Sequence, residues 1–97
     1  MTQIDHLILQ VDDVAASVAF YVDVLGFARD ADRPPFAIVR VSESFVLQLA
    51  PWGARGNEHF AFALPRAAFD RVFARIKERG IPYGDSFHSV GTNTGPG

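Results

Sequence analysis

The sequence predicts an α+β fold of two βαβββ modules in tandem, the second incomplete at its C-terminal end. Three observations predict it. The stretch IDHLILQV-DDVAASVAFYVDVLGF passes from alternating apolar residues to apolar residues three and four apart, so a strand runs into a helix. Two alternating runs separated by a short polar turn follow it, as a hairpin requires. The strand-then-helix order then begins again near Glu58.

Each element has a local cause. In the first helix Val14, Val18, Tyr21, Val22 and Leu25 share one face, Asp13 is placed to cap the start, and Gly26 stands where a left-handed terminating residue is wanted. Phe27 to Asp32 reads as a short twisted strand, and Arg33-Pro34-Pro35 forces a turn or extended link. Phe36 to Ser42 alternates, with Ala37, Val39 and Val41 on one side and Ile38, Arg40 and Ser42 on the other. Ser42-Glu43-Ser44 turns the chain into Phe45 to Ala50, where Phe45, Leu47 and Leu49 face one way and Val46, Gln48 and Ala50 the other.

Pro51 to Asn57 reads as a linker between module one (residues 1–52) and module two (residues 57–97) of a single domain. Glu58 to Leu64 is expected to be a strand and Pro65 to Arg79 a helix with Phe69, Val72, Phe73 and Ile76 as its buried stripe, ended by Gly80. Twenty residues separate His6 from Gly26, and twenty-one separate His59 from Gly80. That match gives an internal repeat with a period of about fifty residues. Ile81 to Gly84 is expected to be a short strand and Asp85 to Val90 extended, and the rest is turn chemistry. The second module therefore lacks strands that the first has, and the expectation is either a repeat without its end or a chain that continues past Gly97.

Composition narrows the function. The formal charge is −2, from nine Lys and Arg against eleven Asp and Glu, which provides no basic field for nucleic acid. There is no cysteine, so a metal would be held by imidazole, carboxylate, amide oxygen or water. No apolar run approaches the roughly 18 residues that span a bilayer, and the N-terminus has no signal pattern, so the expected address is the cytoplasm, without a membrane partner.

The two histidines embedded in equivalent strands are the candidate chemistry. A first-row divalent ion needs several donors converging from separate elements, and imidazole is the commonest. A pseudo-twofold relation between the modules would bring His6 and His59 to one centre. Ala61 and Ala63 share the face of His59 and would leave a hollow beside it, where a structural core would fill the space. Gln48 is the third candidate, its amide oxygen projecting from an apolar strand expected to neighbour the first. The same step that leads from His6 to Gln48, taken from His59, runs past Gly97. Each residue also has a plainer reading: a histidine hydrogen-bonded in a core, a glutamine satisfied by backbone or water, and, for Arg40 and His88, a solvated side chain.

DHLILQVDDVAASVAFYVDVLGF resembles the opening module of the vicinal oxygen chelate superfamily, which includes glyoxalase I, extradiol dioxygenases and bleomycin-binding proteins. HFAFALPRAAFDRVFARIKERGIPY is similar to the opening of its second module. The resemblance implies paired βαβββ modules curving into a half-open barrel around a metal, often completed across a homodimer. It also implies metal-ligand roles for His6 and His59, with Gln48 at the place where glyoxalase-type members carry Glu. The family's last ligand, usually a Glu on the final strand, is not in this sequence.

The resulting expectation is a glyoxalase-like enzyme of lyase or isomerase type. Its divalent ion, Zn, Ni, Mn or Fe(II), would chelate neighbouring oxygens of a small-molecule substrate. Two alternatives stand beside it: a metal-free small-molecule or antibiotic binder of the bleomycin-resistance kind, and an extradiol-type dioxygenase.

Overall fold

The computed structural model describes residues 2–55, 58 and 61–84. The chain divides into two compact units, Met1–Ala61 and Phe62–Gly97. In the first unit β1 (His6–Gln10) leads into α1 (Val14–Ala19), a wider helical segment Phe20–Val24, the short β2 (Ala28–Arg29), β3 (Ala37–Ser42) and β4 (Phe45–Ala50). The four strands form one sheet in the order β1-β4-β3-β2. β1 runs parallel to β4, and the other two pairings are antiparallel.

Alternation decides the two faces. Leu7 lies opposite Leu47, which lies opposite Val39, and Leu9 lies opposite Leu49, which lies opposite Ala37. Leu47, Leu49 and Val39 have no exposed surface, and α1 packs on β3 and β4. This is the core. β1 has no second neighbour among the described strands, so Leu7 and Ile8 remain about two-fifths exposed even in the folded chain.

The helix begins as expected: the Asp13 carboxylate accepts from the Ala16 N–H at 3.0 Å. It then departs from a regular 3.6-residue repeat. From Phe20 onward it is a π-helix, with the Leu25 N–H donating to the Phe20 carbonyl. The extra residue in that turn rotates the following side chains, so Val24 is buried at 3% exposure while Val22 and Leu25, expected on the core stripe, are only half-buried. Gly26 ends the segment with φ of 81°.

Three expected strands are shorter or lacking among the described residues. β2 covers only Ala28–Arg29 of the 27–32 stretch, because Asp30 to Asp32 turn to satisfy side chains: Asp30 accepts from its neighbour Ala31, and Asp32 pairs with Arg29. Glu58, residues 61–64 and residues 81–84 carry no strand. An isolated stretch has no ladder to satisfy its backbone, and no described strand pairs with these residues; residues 59 and 60 of the expected strand lie outside the described ones. The extended segment expected over 85–90 lies outside the described residues.

In the second unit α2 (Arg66–Glu78) matches the expected helix, with Gly80 at φ of 65° past its end; of the expected buried stripe Val72 is buried, while Phe69, Phe73 and Ile76 are part-buried. Phe73 packs edge-on against Tyr83, and Lys77 sits over its ring.

Candidate functional site

The face of the sheet opposite α1 carries the candidate site. Register places His6, Val46, Arg40 and Ala28 in one row across β1, β4, β3 and β2, and Ile8, Gln48 and Ile38 in the next. Partners across a pleated pair point to the same side, so His6 and Gln48 share a face on adjacent parallel strands. They are diagonal neighbours. The forty-odd residues between them serve to bring β4 back beside β1.

A cleft of about 340 Å³ opens on this face, lined by Gln48, Ile38, Val46 and Arg40 on the sheet and by Asp5, Asp30, Arg33 and Glu43 around it. His6 flanks the cleft through Val46, its register partner, and through Asp5, whose carboxylate accepts from His6 Nδ1 at 2.9 Å. The apolar floor of Ile38 and Val46 is surrounded by charge.

The Arg40 side chain is 42% exposed, in line with the solvated reading, but it is also tied down. Its Nε donates to Asp30 at 2.9 Å, and Nη1 donates to the carbonyl oxygens of Ser42 and Glu43 at 3.0 Å each. β3 bulges between Arg40 and Ser42, which brings those carbonyls within reach of the guanidinium. Arg40 is thereby a fixed wall of the cleft. The Ala31 N–H, and after it the Arg40 guanidinium, hold the Asp30 carboxyl below the usual carboxylate range. On the helical side, burial pushes the Tyr21 hydroxyl up.

Sequence reasoning passed over Asp5, Asp30, Arg33 and Glu43. Strict alternation would have put Asp5 on the side opposite His6, but Asp5 precedes β1 and is not bound by its pleat. Asp30 and Arg33 lie in the turns after β2, and Glu43 in the β3–β4 turn, where spacing carries no directional signal. His59 and His88 lie outside the described residues.

The donors present fit part of a divalent-metal site. Because a carboxylate only accepts, the His6 nitrogen facing Asp5 carries the hydrogen, and the neutral ring then offers its Nε2 lone pair. Gln48 offers an amide oxygen from the neighbouring strand. Two neutral donors make half a site. Among the described residues no group of three His, Cys, Asp or Glu could hold a metal ion.

Comparison with known proteins agrees with this architecture. The chain is similar to two solved structures described as oxidases: ChaP-H2, at 30% identity and a TM-score of 0.78 over 90% of this chain and 69% of that one, and ChaP-H1, at 31% and 0.77 over 91% and 72%. A lactoylglutathione lyase from Agrobacterium tumefaciens is similar at 26% identity and a TM-score of 0.66, over 84% of this chain and 73% of the lyase. No curated protein matches the chain. No described helix is long and apolar enough to cross a membrane. A model of the Glyoxalase/Bleomycin resistance protein/Dioxygenase superfamily matches residues 3–95, and the chain belongs to that superfamily.

Proposed function

We propose that the chain is a metal-dependent enzyme acting on a small molecule through two neighbouring oxygens, with His6, Gln48 and His59 as metal ligands. The observation that carries this reading is the β1–β4 register, which sets His6 and Gln48 on one face beside the cleft. His59 joins them by the internal repeat of the sequence, as the opening of module two (57–97) within a single domain. A divalent ion there would act as a Lewis acid on the chelated oxygens.

The chain's own residues have separate tasks. Asp5 orients His6, Gln48 presents its amide oxygen, Ile38 and Val46 exclude water from the floor, and Arg40 holds the far wall through three hydrogen bonds. A wall with its donors engaged in this way leaves substrate orientation to the groups around the cleft mouth. Exposed Leu7 and Ile8 on strand β1, with Ile4 just before it, support a homodimer that covers them.

Two reaction types have support. Gln48, at the position where glyoxalase-type members carry Glu, and the likeness to a lyase favour a lyase or isomerase. The greater identity and TM-score against the two oxidases favour an oxygen-consuming reaction of the dioxygenase kind.

The test is titration of Zn(II), Ni(II), Mn(II) and Fe(II) into the wild type and the His6→Ala, His59→Ala and Gln48→Ala variants, followed by turnover assays of each loaded form. Oxygen uptake with aromatic vicinal diols separates the oxidative reading from hemithioacetal isomerisation. Binding of about one metal per chain, weakened together with turnover in both histidine variants, is expected. A wild type that binds no metal, yet keeps its affinity for a small apolar ligand when both histidines are replaced, would establish the metal-free binder instead.

A further inference from the structure

The geometry points to Asp5 as the positioning residue for His6: its carboxylate holds the ring in the Nδ1–H form and thereby directs the Nε2 lone pair outward as the binding atom. The inference deepens the metal-site reading and rests on it for its purpose, though its first measurement needs no metal.

Three features of the structure support it. The contact is short, 2.9 Å from His6 Nδ1 to Asp5 Oδ2. An ionised carboxylate has no hydrogen to give, so this contact specifies which nitrogen is protonated, as a contact to a hydroxyl or an amide would not. The base of the carboxylate is also anchored: the Asp5 carbonyl accepts from the Val46 N–H at 3.1 Å, so Asp5 is tied to β4, the strand that carries Gln48. The link that sets the β1–β4 register therefore also sets where the Asp5 side chain begins.

Among the described residues no Lys or Arg forms an ion pair with Asp5. Among the described residues Arg29 pairs with Asp32, Arg40 with Asp30 and Arg66 with Asp70, and His6 is the only side chain bonded to the Asp5 carboxylate. The Asp5 side chain is 88% exposed, so it contributes little to the core, and removing it tests orientation with small effect on packing. His6 itself has a side chain only about half covered, so packing alone does not fix its ring. Outer carboxylates of this kind on ligating histidines typically change metal affinity by about 10- to 100-fold when removed.

The experiment is long-range nitrogen–proton correlation NMR of the imidazole rings in the metal-free full chain at about pH 8, above the reference histidine range, with His6 assigned from the His6→Asn variant. The wild type is expected to show His6 protonated at Nδ1. Asp5→Ala should shift it toward the other tautomer, and Asp5→Glu, which keeps a carboxylate that can only accept, should restore it. Unchanged thermal melting of Asp5→Ala separates this effect from unfolding. In parallel, Zn(II) affinity should fall about 10- to 100-fold in Asp5→Ala and recover in large part in Asp5→Glu.

A wild-type His6 protonated at Nε2, or a tautomer indifferent to Asp5→Ala, overturns the inference. If the tautomer responds as stated but the wild type takes up no metal, Asp5 is confirmed as the orienting group and the metal reading of the site fails. If metal binds and its affinity is the same in Asp5→Ala, the orienting role is overturned and the metal reading stands.

Discussion

Leu47 and Gln48 are consecutive residues on β4 with opposite environments, and paired substitutions there test the assignment of the two faces. Leu47 has no exposed surface and lies between Leu7 and Val39 in the middle of the sheet. Leu→Ala in such a site costs about 2–5 kcal/mol, depending on how far the surroundings collapse. Leu7 beside it is 41% exposed and can settle into the gap, whereas Val39 is fully enclosed, so a value near 3 kcal/mol is expected. In a domain of this size each kcal/mol lowers the melting temperature by roughly 4–8 °C, so the shift is about 12–24 °C. Gln48 lines the cleft, and its alanine variant should stay within about 0.5 kcal/mol of the wild type while losing metal affinity. Calorimetric melting of both variants, with metal titration of the second, decides the matter. A Gln48→Ala variant as unstable as Leu47→Ala would show that Gln48 is packing material, and the shared face with His6 would lose its functional meaning.

Further predictions follow from other contacts. Asp13→Ala removes the acceptor of the Ala16 N–H and should lower stability by about 1 kcal/mol, with Asp13→Ser recovering most of it in chemical denaturation. Because folding lowers the Asp30 pKa, its contribution to stability is fully present above the ordinary aspartate value, near 4, and is lost as pH falls through the lower folded value. Denaturation curves of wild type and Asp30→Asn should therefore converge in acid and diverge toward neutrality. Gly80 has φ of 65° with nothing near an added Cβ, so Gly80→Ala should cost about 1 kcal/mol from backbone strain alone, and Gly80→Asn less. Adding the bound metal should raise protection of the β1 amides against hydrogen exchange, and a chelator should reverse it; unchanged β1 protection would refute a ligand on that strand.

The sequence made the first unit legible where periodicity governs. The alternation in Phe45 to Ala50 separated Leu47 and Leu49 from Gln48, and the structure keeps that separation because a one-residue slip would have turned two fully buried leucines to solvent. α2 was legible for the same reason, from its stripe and its glycine. The π segment was not, because Val22 and Leu25 satisfy a regular helical spacing and only the closing bond from Leu25 to Phe20 reveals the extra residue. The exposure of Arg40 was legible but its anchoring was not, because its partners, Asp30 and two backbone carbonyls in the β3–β4 turn, depend on a bulge that leaves no mark in hydrophobic pattern. The Asp5–His6 contact was missed because alternation applies only within a strand, and Asp5 stands one residue before it.

β1 joins the fold to the function in a way the other strands do not. Among the described strands it has one neighbour, β4, as the edge strand β2 has β3, and its pairing is the parallel, sequence-distant one, whereas β2–β3 and β3–β4 close over short connections. Its apolar residues Leu7 and Ile8 remain partly exposed, so hydrophobic burial holds it less firmly than it holds β3 and β4. Yet this strand carries His6, and the Asp5 carbonyl that closes onto Val46 lies at its start. A ligand bridging His6 and Gln48 would bind only when β1 is docked, and would stabilise that docking by the same free energy. The attachment of β1 is thus one that a bound metal would reinforce, and stability and site occupancy should rise and fall together.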